Sequence, residues 1–407
     1  STTKYSRLFP VILFLLASCC TASQLPQTAA PIKDGKPFIV VWNGPLNHCR
    51  DVPLDMSVFQ AVTTPALKAD QFLSLFYRAH MGLCPYADYK TGKEYNGGFP
   101  QMGNLRASLA KSRAEVSEYI PESSPGLGVV DWEDWRPLYD RNWGTKRIYQ
   151  KLSIGYAQQH DPSLTLEQAE VEAKKQFESA ARSFMEGTVK LAISERPEYL
   201  WGFYLFPNCY NYGADEPGYT GECPEIAQQR NDELLWLWEA STALFPSAYL
   251  STALSGDHSA ALFVRNQVQE ALRVSALPNI AMVWCSCGPQ IDLVRSIGES
   301  AALGASGAVM WGASASCENL SDYLLSTLNP YIANVTAAAQ ICSDFLCQGN
   351  GRCVRRHYNT DTYLHLNPEH FLIQHMFNAF TCQCYAGRSC SARVPSQSPH
   401  TPLVIHI

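Results

Sequence analysis

Residues 127–137 read LGVVDWEDWRP, and this run decides the fold. Apolar and β-branched residues lead without a break into two carboxylates, Asp131 and Glu133, two positions apart. On an extended strand that spacing sets both side chains on one face, roughly 7 Å apart at the Cα positions. A buried strand ending in paired acids is how a parallel β/α barrel delivers carboxylates to its C-terminal mouth. Solvated acids at an ordinary strand end are the plainer alternative. Three flanking tryptophans (Trp132, Trp135, Trp143) and Arg136 favour a groove.

The same pattern repeats from about 36 to 340. Strand-like segments fall at 37–43, 71–78, 126–133, 199–206, 246–251, 278–285 and 305–311. Helical patterns lie between them, the clearest at about 164–195. There Thr165 and Gln168 can form a capping box, Phe177, Ala181, Phe184, Thr188 and Leu191 recur at helical spacing, and Pro197 follows the stop. Near-continuous apolar strands alternating with helices predict an α/β fold, a parallel sheet covered on both faces. Seven such units over 36–340 predict a closed (β/α) barrel.

Composition sets the compartment and excludes several classes. With 46% hydrophobic and 17% charged residues, disorder is not the default. A net charge of −6 argues against general nucleic-acid binding, yet leaves room for a polyanion in a local basic groove. Residues 1–23 carry Lys4 and Arg7 before an apolar stretch at 8–18 and then small residues, the form of a signal peptide cleaved near Ser23. That stretch is too short to span a membrane, and no other run reaches its length. Of fifteen cysteines, Cys19 and Cys20 would leave with that peptide, and the odd remainder requires one that is free or paired outside the chain. Sequons at Asn319 and Asn334 fit the same secretory route, to the exterior or the lysosome. From 341 to 392 six cysteines crowd together with glycines, predicting a disulfide-stapled module before a short tail at 393–407. A zinc site is the rival reading there, disfavoured by the absence of paired CxxC knuckles.

Residues with chemistry recur at predicted strand ends: Asn43, Tyr77, Asp131 with Glu133, Tyr204, Tyr249 and Trp311. Each aromatic alone reads as core; jointly they read as one site. Carboxylates among tyrosines and tryptophan suit carbohydrate hydrolysis, since sugar rings stack on aromatics and glycoside cleavage needs an acid. There is no GxSxG elbow and no HExxH, and phosphate-binding glycine loops are absent, so neither a metal nor a cofactor is expected.

Six stretches then carry a resemblance: VVDWEDWRP, WGFYLFPNCYNY (201–212), NDELLWLWEASTALFPSAYL (231–250), IGESAALGASGAVMWG (297–312), NPYIANVT (329–336) and CQGNGRCVRR (347–356). In these the chain resembles the vertebrate-type hyaluronidases of glycoside hydrolase family 56. The resemblance implies a distorted TIM-like (β/α) barrel followed by an EGF-like module, and a monomer acting on hyaluronan or chondroitin. It implies endo-hydrolysis of β-1,4 N-acetylhexosaminide bonds, with Glu133 as acid/base. Asp131 would orient the substrate's acetamido group, whose oxygen is the nucleophile. Tyr204 and Tyr249 match residues contacting that group, and Trp311 matches the pocket's tryptophan. Arg136 either serves the polyanion or anchors its loop; Asn43 and Tyr77 carry the same ambiguity. The family pattern further implies disulfides Cys49–Cys317, Cys209–Cys223, Cys342–Cys353, Cys347–Cys382 and Cys384–Cys390, leaving Cys84, Cys285 and Cys287.

The match breaks between Pro278 and Ser296, where PNIAMVWCSCGPQIDLVRS is roughly ten residues shorter than the family's segment and adds two cysteines. This puts the sixth strand in question, because a truncated strand forfeits buried ladder bonds. The stretch between Leu372 and Cys382 is short as well. A glycosaminoglycan-binding protein without catalysis is therefore the alternative function. A cysteine-rich adhesion protein is the third.

Overall fold

The computed structural model describes residues 25–275, 280–312, 316–366, 376 and 378–390. The expected signal peptide and tail lie outside these, as does most of the short Leu372–Cys382 stretch. Twelve strands are described: β1 (Ile39–Trp42), β2 (Ala61–Val62), β3 (Leu73–Tyr77), β4 (Tyr86–Ala87), β5 (Glu94–Tyr95), β6 (Gly126–Asp131), β7 (Tyr199–Phe203), β8 (Ala243–Leu244), β9 (Ile280–Ser286), β10 (Gly307–Trp311), β11 (Gly351–Arg355) and β12 (Phe380–Cys384).

The fold is mixed α/β with two parallel sheets, ordered β2-β1-β10-β9-β8 and β3-β6-β7. A parallel bridge between Tyr204 and Phe245 joins them, with Leu205 N–H donating to the Phe245 carbonyl at 3.1 Å. Alternation along the strands sorts the core into an inside and an outside. Ile39, Val41, Leu73, Leu75, Leu127, Val129, Ala243, Phe245, Ile280, Met282, Trp284 and Val309 form one cluster between the sheets. Phe76, Val130, Trp201 and Phe203 face outward onto helices Leu105–Tyr119 and Leu166–Glu195. Val40, Trp42, Val283, Cys285, Ala308 and Met310 do the same onto Ser259–Val274 and Asn329–Leu346. Gly128 is what lets Trp201 in: a Cβ there would lie 2.2 Å from the indole. The long helix begins with the capping box between Thr165 and Gln168.

Two expectations need correction. The fifth strand lies upstream of 246–251, at 243–244, because Pro246 has no N–H to continue the ladder; pairing resumes when Ala248 donates to the Trp284 carbonyl at 2.8 Å. The sixth strand is not truncated. β9 runs seven buried or nearly buried residues and pairs with both β8 and β10. Helix Asn329–Leu346 runs past residue 340, and Cys342, Leu346, Cys353 and Phe380 belong to the same apolar cluster as β1 and β10. Beyond that helix β11 and β12 form an antiparallel pair. Disulfides join Cys342–Cys353, Cys347–Cys382 and Cys384–Cys390 there, and Cys49–Cys317 and Cys209–Cys223 elsewhere.

Candidate active site

The inward-facing parity of each strand, continued one step past its last core residue, names the site. Leu127 and Val129 lead to Asp131, and Leu73 and Leu75 lead to Tyr77, its register partner across the ladder. Ile39 and Val41 lead to Asn43, Gly202 to Tyr204, and Val309 to Trp311. These residues therefore ring the C-terminal end of the interior column. Tyr204 and Tyr249 pack directly on that column.

Asp131 closes β6, while Glu133 lies past the strand end and is exposed, so the pair is not held by a common strand face as the D-x-E spacing predicts. The two carboxyls still meet. Burial, then the charge of Glu133 and a hydrogen bond to it, push Asp131 up to about 8. Asp131 Oδ1 is buried and has no hydrogen-bond partner among the described residues. Such an atom costs about 1–3 kcal/mol unless something arrives to bond it.

An aromatic wall stands over the acids. Tyr204 lies 6.4 Å from Tyr249, Tyr249 lies 6.1 Å from Trp311, and Trp284 meets Tyr204 edge-on at 5.2 Å. Tyr204 donates to the Ser247 hydroxyl at 3.4 Å. Burial raises the hydroxyl pKa of Tyr77, Tyr204 and Tyr249, and the negative charge of Asp131 adds to each shift. All three phenols are thus neutral donors at physiological pH. Trp284 and Ser247 escaped the sequence reading, although the two-residue period of β9 points to Trp284.

The loop after β6 is braced from within. Arg136 donates through Nη1 to the Glu133 carbonyl at 3.1 Å, so its guanidinium anchors the loop. Lys146 also donates to that carbonyl, and to the Asp134 carbonyl at 3.2 Å. Asn142, fully buried, accepts from the Arg136 N–H at 2.8 Å and donates to the Arg136 and Leu138 carbonyls. Asp134 pairs with Arg78. Trp132 and Trp135 are 4% and 3% exposed, core residues rather than walls of a groove; only Trp143, at 57%, faces solvent. Neither Lys146 nor Asn142 lies in a motif that sequence could flag.

Asn43 is fully buried, its Oδ1 accepting from Thr63 at 3.0 Å and its Nδ2 unpartnered. Of the two sequons, Asn319 is exposed, whereas Asn334 exchanges two 2.8 Å hydrogen bonds with the Leu366 backbone. Cys84 and Cys285 are buried thiols and Cys287 is an exposed one. Among the described residues one group, His48–Cys49–Cys317, has the spacing of metal ligands, but its two sulfurs are joined to each other. No described helix is long and apolar enough to cross a membrane.

The hyaluronidase family profile matches residues 27–394. Hyaluronidase-5 of Mus musculus is 41% identical, the alignment covering 96% of this chain and 82% of that one. Hyaluronidase PH-20 of Homo sapiens is 40% identical over 94% and 83%. Among solved structures, bee venom hyaluronidase superposes with a TM-score of 0.63 at 30% identity, covering 72% of this chain and 99% of that one. The same enzyme in complex with a hyaluronic acid tetramer superposes equally well.

Proposed function

The chain belongs to the hyaluronidase family and is a glycoside hydrolase; from that premise we propose that it cleaves the β-1,4 N-acetylhexosaminide bonds of hyaluronan, and of chondroitin, by substrate-assisted retention. The observation that carries this reading is the carboxyl pair itself. Asp131 offers an unpartnered buried oxygen to an acetamido N–H, and its carboxyl meets that of Glu133, which faces solvent where a glycosidic oxygen can arrive.

The acetamido carbonyl oxygen attacks the anomeric carbon as the glycosidic C–O bond breaks, and Glu133 gives its proton to the departing oxygen. Glu133 then takes a proton from the water that opens the cyclic intermediate, and configuration is retained. Tyr204 and Tyr249, held neutral by burial, contact the acetamido group without placing a second anion beside the acids. Trp311 lines the same pocket. The hyaluronic acid tetramer bound by bee venom hyaluronidase supports a polysaccharide substrate.

The two bridged sheets support a distorted (β/α) barrel over 36–340, and the paired strands with three disulfides support an EGF-like module over 341–392. Five disulfides suit an oxidising compartment, outside the cell or in the lysosome.

Size-exclusion chromatography of hyaluronan after incubation with purified protein, from acid to neutral pH, tests the activity. Native protein shortens the polymer, and Glu133→Gln lowers the rate about 10³-fold with an unchanged melting temperature. Cleavage by that variant at the native rate removes Glu133 from the chemistry. Retention of hyaluronan without shortening would instead favour a binding protein. Chondroitin run in parallel decides whether it is a second substrate.

A further inference from the structure

A narrow cleft opens beside the acids, lined by Arg136, Arg141, Arg230, Leu205, Tyr210 and Asn208. Its volume is about 20 Å³, which holds one water or one carboxylate oxygen and excludes a sugar ring. Arg141 sits over the Tyr210 ring, 3.7 Å from ring centroid to guanidinium carbon, and its Nη2 is buried without a hydrogen-bond partner. Burial, and the neighbouring charge of Arg230, both disfavour its charged form. Among the described residues no carboxylate lies within 4 Å of Arg136 or Arg141. Asp140 is 4.0 Å from Arg230 but is already held by Lys174 at 2.6 Å, and Glu233 acts on Arg141 only through space.

The backbone around the cleft is strained as well. Leu205 and Tyr210 have φ of +71° and +52°, a region side-chain-bearing residues avoid at a cost of about 1 kcal/mol or more each. Arg136 links the cleft to the acids, because the same side chain lines it and bonds the Glu133 carbonyl.

We infer that this three-arginine cleft is an anion subsite that takes a carboxylate of a hexuronate residue of the substrate, next to the bond being cut. This rests on the polysaccharide reading above. Arg141 has no ion-pair partner among the described residues and an orphaned buried Nη2, and a planar carboxylate fits its guanidinium fork. The apolar walls supplied by Leu205, Phe206 and Leu234 admit the acid group and exclude bulk water, which strengthens the contact.

The test compares native protein with Arg141→Met on two polymers, hyaluronan and hyaluronan whose carboxylates have been reduced to alcohols, with calorimetric binding of the corresponding oligosaccharides alongside. On hyaluronan, Arg141→Met raises KM about tenfold, leaves kcat within twofold and flattens the dependence of KM on salt. On the carboxyl-reduced polymer the native protein and the variant converge. Arg141→Lys, which keeps the charge and loses the fork, falls between them. An equal handicap on both polymers, or none on either, overturns the subsite. If native protein cleaves neither polymer, the proposed activity fails instead. Calorimetry still reads the subsite then, which is overturned if native protein and Arg141→Met bind the acidic oligosaccharide equally.

Discussion

Asp131 is the residue at which fold and chemistry meet. The alternation that buries Leu127 and Val129 also draws its carboxyl out of water, into a site walled by Tyr77, Tyr204 and Tyr249. Burial and the adjoining Glu133 both favour the protonated form, so Asp131 keeps its proton into the neutral range and yields it near pH 8. An unfolded aspartate loses its proton near 3.8. The folded state thus binds the proton more tightly, and the stability this lends is complete below about pH 4 and is lost as pH rises to about 8. Asp131→Asn is neutral in both states and flattens that decline. Urea melts from pH 4 to pH 9 read the difference; a variant that keeps the native slope shows that the proton resides elsewhere.

The loop from Trp132 to Lys146 shows how an element without regular structure can be held to the tolerance catalysis needs. Glu133, the proposed acid, is exposed and lies beyond the strand, so the strand does not fix it. Arg136 and Lys146 do so through the Glu133 carbonyl, and Asn142 fixes Arg136 in turn. Burial lowers the Lys146 pKa and the nearby Arg136 lowers it further, a cost borne for position. Lys146→Met should reduce kcat about tenfold while KM moves less than twofold, since misplacement of the acid costs the chemical step more than binding. A change confined to KM would make Lys146 a binding residue. Little of this was legible beforehand. The strands were, because IVVW, LSLFY and GLGVVD carry their own period and burial, and the acids were, because they end such a run. Partners drawn from thirteen positions away along a loop leave no periodic trace, which is why Lys146 was missed. Trp132 and Trp135 differ from expectation for a related reason: indoles beside acids suggest a groove, but only packing shows them set edge-on against Phe203 and Phe177 instead. The sixth strand is whole because Ile280–Ser286 keeps an apolar buried run that pairs on both sides.

At the scale of the whole molecule, the C-terminal segment is bound to the α/β body by charge as well as by apolar packing. Glu299, with no exposed surface, receives Arg265 from the Ser259–Val274 helix at 2.8 Å and Arg355 from β11. Arg265 reaches on to Asp361 at 2.7 Å, and His258 closes the chain on the same carboxylate at 2.8 Å. Residues near the N-terminus add a strap, Thr28 exchanging backbone hydrogen bonds with Cys384 and Ala386. A buried ion triad adds little net stability over an apolar replacement, but removing one member strands the other charges. Glu299→Gln leaves two buried guanidiniums sharing one amide, and should destabilise the protein by about 3 kcal/mol. The location of the loss is informative. If the C-terminal segment were an independent module, the variant would unfold in two steps, with hydrogen exchange rising in β11 and β12 while the strands around Asp131 stayed protected. The shared apolar cluster and the helix that crosses residue 340 require the other outcome: one transition, shifted as a whole, with exchange rising on both sides together. A variant within about 0.5 kcal/mol of native would mean the triad fixes the orientation of the C-terminal segment and contributes nothing to its stability.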